Sequence, residues 1–152
     1  MTDESSPFME QAIVEAKRAA LAGEVPVGAV LVDTATGQVL ARAHNRTETD
    51  NDPTAHAELL VIREGGEKTG SPRLESCDLY VTLEPCAMCA AAISFARIRR
   101  LYFGAYDAKM GGVEHGGRFY GQSTCHHAPE VYGGMAEAET VALLKDFFRE
   151  RR

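Results

Sequence analysis

Residues 78–89, Asp-Leu-Tyr-Val-Thr-Leu-Glu-Pro-Cys-Ala-Met-Cys, constrain the fold more than any other stretch. Positions 79–83 form an apolar run of strand length, and Glu84-Pro85 ends it. The residues that follow suit a helix carrying Cys86 and Cys89. Cysteines at i and i+3 share a helix face, so one turn presents both sulfurs to a single point. That pattern is a two-thiolate grip for a metal.

A second fragment, Asn51-Asp-Pro-Thr-Ala-His-Ala-Glu58, supplies what the first lacks. Asp52 can cap a helix and Pro53 suits its first turn, which places His56 and Glu58 near the helix start. One His and two Cys favour zinc over magnesium or calcium. Three protein ligands leave the fourth position for water, whose pKa zinc lowers from about 16 to about 7. Two thiolates offset the metal charge, and a helix N-terminus stabilises a thiolate further. In that arrangement Glu58 shuttles protons. H-x-E followed by P-C-x-x-C is the signature of zinc-dependent nucleobase deaminases.

At 152 residues the chain fits one domain, 1–152, large enough to bury a core without disulfides. An apolar fraction of 45% and a charged fraction of 25% are those of a soluble globular protein. No apolar run is long enough to span a bilayer, and Asp3, Glu4 and Ser5 do not read as a leader, so a cytoplasmic location is expected. A reducing compartment turns the four cysteines toward metal binding or catalysis. The net charge of −6 opposes broad affinity for nucleic acid. It leaves room for a local site, with arginines clustered at 97, 99 and 100 and again at 149, 151 and 152. Solvated helix ends account for both clusters equally well.

In chain order, Ser6 and Pro7 open a helix whose stripe is Met9, Ala12, Ile13, Ala16 and Ala20, ending at Gly23. Residues 25–32 read as a strand, 34–37 as a turn and 38–44 as its hairpin partner, with Asn45 at the end. The His56 helix follows, with Ala57, Leu59, Leu60 and Ile62, toward Gly65-Gly66. Then come the strand at 79–83, the cysteine helix to about residue 96 and a strand at 100–104. That order specifies an α/β chain, a three-layer α/β/α domain with a central mixed sheet. Ligands in such folds gather beyond the carboxyl ends of strands, where Asn45 and Cys86 fall. Residues 105–134 are Gly-rich and too long for a plain connector, hence a functional loop or a weakly marked strand and helix. Val141, Leu144, Phe147 and Phe148 mark a last helix packed on the core.

Other readings of the cysteines stay open to different degrees. A closed structural site needs a fourth ligand, and Cys77 is too far: five or six strand residues at about 3.3 Å each put it roughly 15–20 Å from Cys86. Cys125-His126-His127 could supply one if its loop folds back. A thioredoxin-like redox pair leaves His56 and Glu58 without a role. His44 and His115 carry no assignment. Asn45 either turns the chain or offers its amide donor and acceptor to a purine edge.

Over nearly its whole length the chain resembles bacterial tRNA adenosine deaminases of the cytidine/deoxycytidylate deaminase superfamily. The resemblance rests on Val25-Pro-Val-Gly-Ala-Val, Asn45-Arg46, Asp52-Pro-Thr-Ala-His-Ala-Glu, Leu79-Tyr-Val-Thr-Leu-Glu-Pro-Cys, Gly104-Ala, Asp107-Ala-Lys and Phe147-Phe-Arg. It implies the cytidine-deaminase-like fold, a homodimer with one zinc per subunit, and hydrolytic conversion of the wobble adenosine to inosine in a tRNA anticodon stem-loop. His56, Cys86 and Cys89 would bind zinc, and Glu58 would relay protons to N1 and to the leaving ammonia as hydroxide attacks C6. Asn45 would hold the flipped base and Asp107 would lie near its sugar and backbone. Residues 90–92, all alanine, would permit close helix approach in the dimer. Residues 111–134 depart from the family pattern, so no RNA contact is assigned there. The rival readings are a deaminase of free guanine or cytosine, and a zinc-stabilised RNA-binding module without catalysis.

Overall fold

The structure, a computed structural model, describes residues 6–151. The acidic start at residues 3–5 and Arg152 lie outside that range. Helix α1 (Pro7–Leu21) precedes the hairpin β1 (Gly28–Asp33) and β2 (Gln38–His44). Then follow α2 (Ala57–Thr69), β3 (Cys77–Leu83), α3 (Ala87–Phe95), β4 (Arg100–Ala105), β5 (Glu130–Tyr132) and α4 (Glu137–Glu150). The strands form one sheet in the order β2-β1-β3-β4-β5. β1 runs antiparallel to both β2 and β3, whereas β3, β4 and β5 are mutually parallel, which makes the sheet mixed as expected.

Side-chain alternation along the central strands produces the three layers. Ala29 and Leu31 of β1, with Leu79 and Val81 of β3, pack with Val61 of α2 and Ile93 of α3. Their neighbours Val30, Val32 and Tyr80 pack with Met9, Ala12 and Ile13 of α1 and with Met135 before α4. Two apolar faces explain why the 25–32 stretch reads as a continuous apolar run. Tyr80, Tyr102 and Tyr132 stack in a row across β3, β4 and β5.

Several boundaries differ from expectation. Ser6 occupies the α1 cap position without a side-chain capping bond, and Ala19, not Ala20, completes the buried stripe. Helix α2 starts at Ala57 because Asp52 Oδ1 accepts from both the N–H and the hydroxyl of Thr54, an Asx turn that competes with helix. It continues through Gly65, where a Cβ would lie 2.4 Å from Leu31 Cδ2, so a missing side chain permits the close packing on β1. Residues 105–134 do hold a strand, β5, and a single 3-10 turn at Phe119–Gly121; Phe119 and Tyr120 pack on the main core. In α4 Phe147 is buried while Val141 and Leu144 are half-buried and Phe148 is 51% exposed, so only part of the expected stripe packs inward. No described helix is long and apolar enough to cross a membrane.

Candidate zinc-dependent active site

A pocket of about 270 Å³ opens beyond the carboxyl ends of β2, β3 and β4, lined by Val25, Val27, Asn45, His56, Glu58 and Cys86 among others. Because β1 is antiparallel to its neighbours, its amino end meets their carboxyl ends there. The sheet topology thus gathers segments far apart in sequence.

Two helices aim their first residues at one point. His56 is the N-cap of α2 and Cys86 the N-cap of α3, both with extended backbone and neither side chain spent on capping. Cys89, fully buried, lies in the first turn of α3. His56 Nδ1 is 3.7 Å from Cys86 Sγ and 3.4 Å from Cys89 Sγ, and all three ligand atoms lie within 4.8 Å of one another. Zinc about 2.3 Å from sulfur and about 2.0–2.1 Å from nitrogen, at tetrahedral angles, sets N···S separations of about 3.6 Å. The spacing and the soft donor set both fit zinc. Hydrogen bonds from Cys89 and His56 outweigh burial and push the Cys86 thiol down to about 4, while the adjacent Cys86 sulfur and burial push Cys89 up.

Among the described residues no fourth protein ligand joins this group. Cys77 is buried at the far end of β3, its thiol pushed up to about 11 by burial, an unreactive core side chain. Cys125 does not fold back: its Sγ lies 3.2 Å from the His127 carbonyl and 3.7 Å from Ser94 Oγ, toward the C-terminal end of α3. His127 Nε2 donates to the Ile98 carbonyl at 2.7 Å. His44 pairs with Glu15, and His115 with Glu84.

Glu58 is 4% exposed and shares the pocket with His56 and Cys86; burial pushes its carboxyl up to about 7. A carboxyl poised near neutrality suits proton transfer. Asn45 Oδ1 accepts the Ala57 N–H at 2.9 Å, which fixes the amide orientation and ties the end of β2 to the start of α2. That bond uses one of the two lone pairs on the oxygen expected to face a purine, and the amide N–H groups are left as donors. Asp107 lines the pocket, and its Oδ1 accepts from the Lys109 and Met110 N–H groups.

Sequence reasoning passed over two buried carboxylates. Glu24, 1% exposed, accepts from the Thr47 hydroxyl, the Glu48 N–H, and the N–H and hydroxyl of Thr49. Burial alone would raise its pKa, but these bonds win and hold it below the usual carboxylate range. Glu84 anchors residues 107–115 in the same manner, and it too is held below that range by hydrogen bonds that outweigh burial. A glutamate placed directly at the end of an apolar strand, as Glu84 is after residues 79–83, is the signal that could have marked it. The arginine cluster at 97–100 is largely neutralised: Arg99 forms a bidentate pair with Asp78, and Arg100 pairs with Glu130.

A His/Cys/Cys group at two helix N-termini, with a buried glutamate beside it, defines a zinc-dependent hydrolytic deaminase. The chain belongs to the cytidine and deoxycytidylate deaminase family, whose zinc-binding region matches residues 2–105. It is 61% identical over 149 residues to a tRNA-specific adenosine deaminase of Agrobacterium fabrum, covering 98% of this chain and 97% of that one. It is 46% identical to the tRNA-specific adenosine deaminase of Bacillus subtilis over 145 residues, 95% and 89% of the two chains. A solved structure from work on A-to-I editing by tRNA:A34 deaminases superposes with a TM-score of 0.87 at 62% identity, covering 90% of this chain and 98% of that one. A guanine deaminase from Nitrosomonas europaea superposes at 0.80 with 21% identity, covering 92% and 82%, a likeness of fold alone.

Proposed function

We propose that residues 1–152 act as a single domain that deaminates adenosine to inosine at the wobble position of a tRNA anticodon stem-loop. The observation that carries this is 61% identity to a tRNA-specific adenosine deaminase across 98% of the chain, together with a pocket that assembles the required groups. His56, Cys86 and Cys89 would hold the zinc. Bound there, zinc supplies Lewis-acid activation of water. Glu58 would move a proton from the attacking water to N1 of adenine as its oxygen bonds to C6, and a second from that oxygen to the amino group, which leaves C6 as ammonia. The free amide donor of Asn45 meets an acceptor on the purine edge, and Asp107 sits where the sugar and backbone leave the pocket.

Outside the pocket, Lys109, Lys145 and Arg149 surround Leu144 and Phe148 in a second groove. Arg149 pairs with Asp146 at 3.3 Å, so the local positive charge that suits phosphates, despite the net charge of −6, rests mainly on Lys109 and Lys145. A homodimer is supported by an apolar surface on α2 and α3. Leu59, Leu60, Ala91 and Ala92 are half-buried, and Phe95 is 75% exposed; Ala90 instead belongs to the chain's own core. A cytoplasmic location follows from a tRNA substrate.

The test is inosine formation in a panel of deacylated tRNAs incubated with the zinc-loaded protein, alongside free adenosine, cytosine and guanine. Inosine confined to one anticodon's wobble position is expected. Ammonia released from a free base alone would keep the zinc chemistry and overturn the RNA substrate.

A further inference from the structure

Glu84 has no part in the chemistry above, yet its side chain is fully buried at the pocket wall. Its Oε1 accepts from the Asp107 N–H at 3.0 Å and from His115 Nδ1 at 2.8 Å. Its Oε2 accepts from the N–H groups of Val113 at 3.2 Å, Glu114 at 2.8 Å and His115 at 3.1 Å. A carboxylate has about four lone-pair sites, so these donors leave none for a substrate or a metal. Gly111 shows how tightly the segment closes: a Cβ there would lie 2.4 Å from Glu84 Oε2. His115 closes the far end. Because its partner is a carboxylate, Nδ1 carries the proton, and the ring stands edge-on to Tyr106 at 6.3 Å.

Between these two anchors the segment serves two places at once. Asp107 and Met110 line the base-sized pocket, and Met110 is 69% exposed at its lip. Lys109, between them, lines the neighbouring groove with Lys145 and Arg149. A nucleoside within an RNA chain must leave its flanking phosphates outside the pocket, across this strip. A free base would touch only its pocket side and leave Lys109 and the groove unused.

We propose that Glu84 and His115 are positioning residues that select substrate: together they hold the 107–115 rim in the arrangement that grips the RNA flanking the reacting nucleoside. The proposal rests on the RNA-editing reading above. Bond making and breaking stay with other groups, so the pair acts on binding and not on turnover.

His115 is the residue to change, since its side chain is 35% exposed and its loss leaves the core intact. The probe is an anticodon stem-loop RNA with adenosine at the wobble position, assayed for KM and kcat separately, with zinc content measured on each preparation. His115→Ala is expected to raise KM about tenfold, with kcat within about twofold and one zinc retained, the signature of lost uniform binding. His115→Asn, whose amide nitrogen can take the place of Nδ1, is expected to recover most of that loss. An unchanged KM in His115→Ala, a loss confined to kcat, or no rescue by Asn overturns the proposal while leaving the functional reading in place. Absence of inosine with the unmodified protein removes both.

Discussion

The metal-facing wall of the pocket and its two rims are held by different physics. At the wall, His56 and Cys86 occupy the N-caps of α2 and α3, and Cys89 follows one turn later. Backbone geometry sets these positions locally, within a few residues of each helix start. The rims at 47–49 and 107–115 lie outside the helices and strands; beyond a single bridge from Gly111 to Cys86 and a few backbone turns, each gathers its donors on one buried carboxylate, Glu24 or Glu84, from more than twenty residues away. A wall built on helix ends is rigid and places reacting atoms. A rim whose donors converge on one buried carboxylate has its shape tied to that group's charge and partners.

That contrast can be broken at the wall first. Cys86→Ala should drop zinc below one per chain and abolish deamination, because an incomplete ligand set forfeits the metal; metal analysis of the purified variant decides it. Full zinc occupancy in that variant would mean that the trio is not the site.

A smaller effect separates wall from substrate at Asn45. Asn45→Asp keeps an oxygen for the Ala57 N–H but removes the amide donor. Thermal stability should stay within about 0.5 kcal/mol while activity falls at least about tenfold. Equal losses in both would assign Asn45 to the fold alone.

Glu24 gives the gentlest test, on a rim. Glu24→Gln leaves buried donors facing an amide and should cost about 1–3 kcal/mol at neutral pH. Glu24 has a lowered pKa in the fold, so its contribution is complete above the unfolded carboxylate value of 4.5 and fades as pH falls through the lower folded value. Melting temperatures of the two proteins should therefore converge in acid. A gap that persists at low pH would show that charge is not what holds this rim.

The same contrast explains what could be read in advance. Elements marked by local pattern were legible: the 38–44 strand falls where the turn at 34–37 puts the hairpin partner, and the i, i+3 cysteines lie beside His56. The start of α2 was misplaced because the Asp52–Thr54 side-chain bonds form a turn where capping rules favour a helix. β5, only three residues long, is too short for a periodic signal and exists through its pairing with β4. Phe148 follows the helical spacing yet faces out, since the stripe is wider than the surface it covers. The donors gathered by Glu24 and Glu84 come from distant loops, and no spacing rule connects them.

In the proposed mechanism His56, Cys86 and Cys89 hold the metal while Glu58 alone moves the proton, and one preparation tests that division. Zinc content and inosine yield measured together on Glu58→Ala should show one zinc per chain with turnover reduced at least about a hundredfold. Near-normal turnover with zinc in place would contradict it.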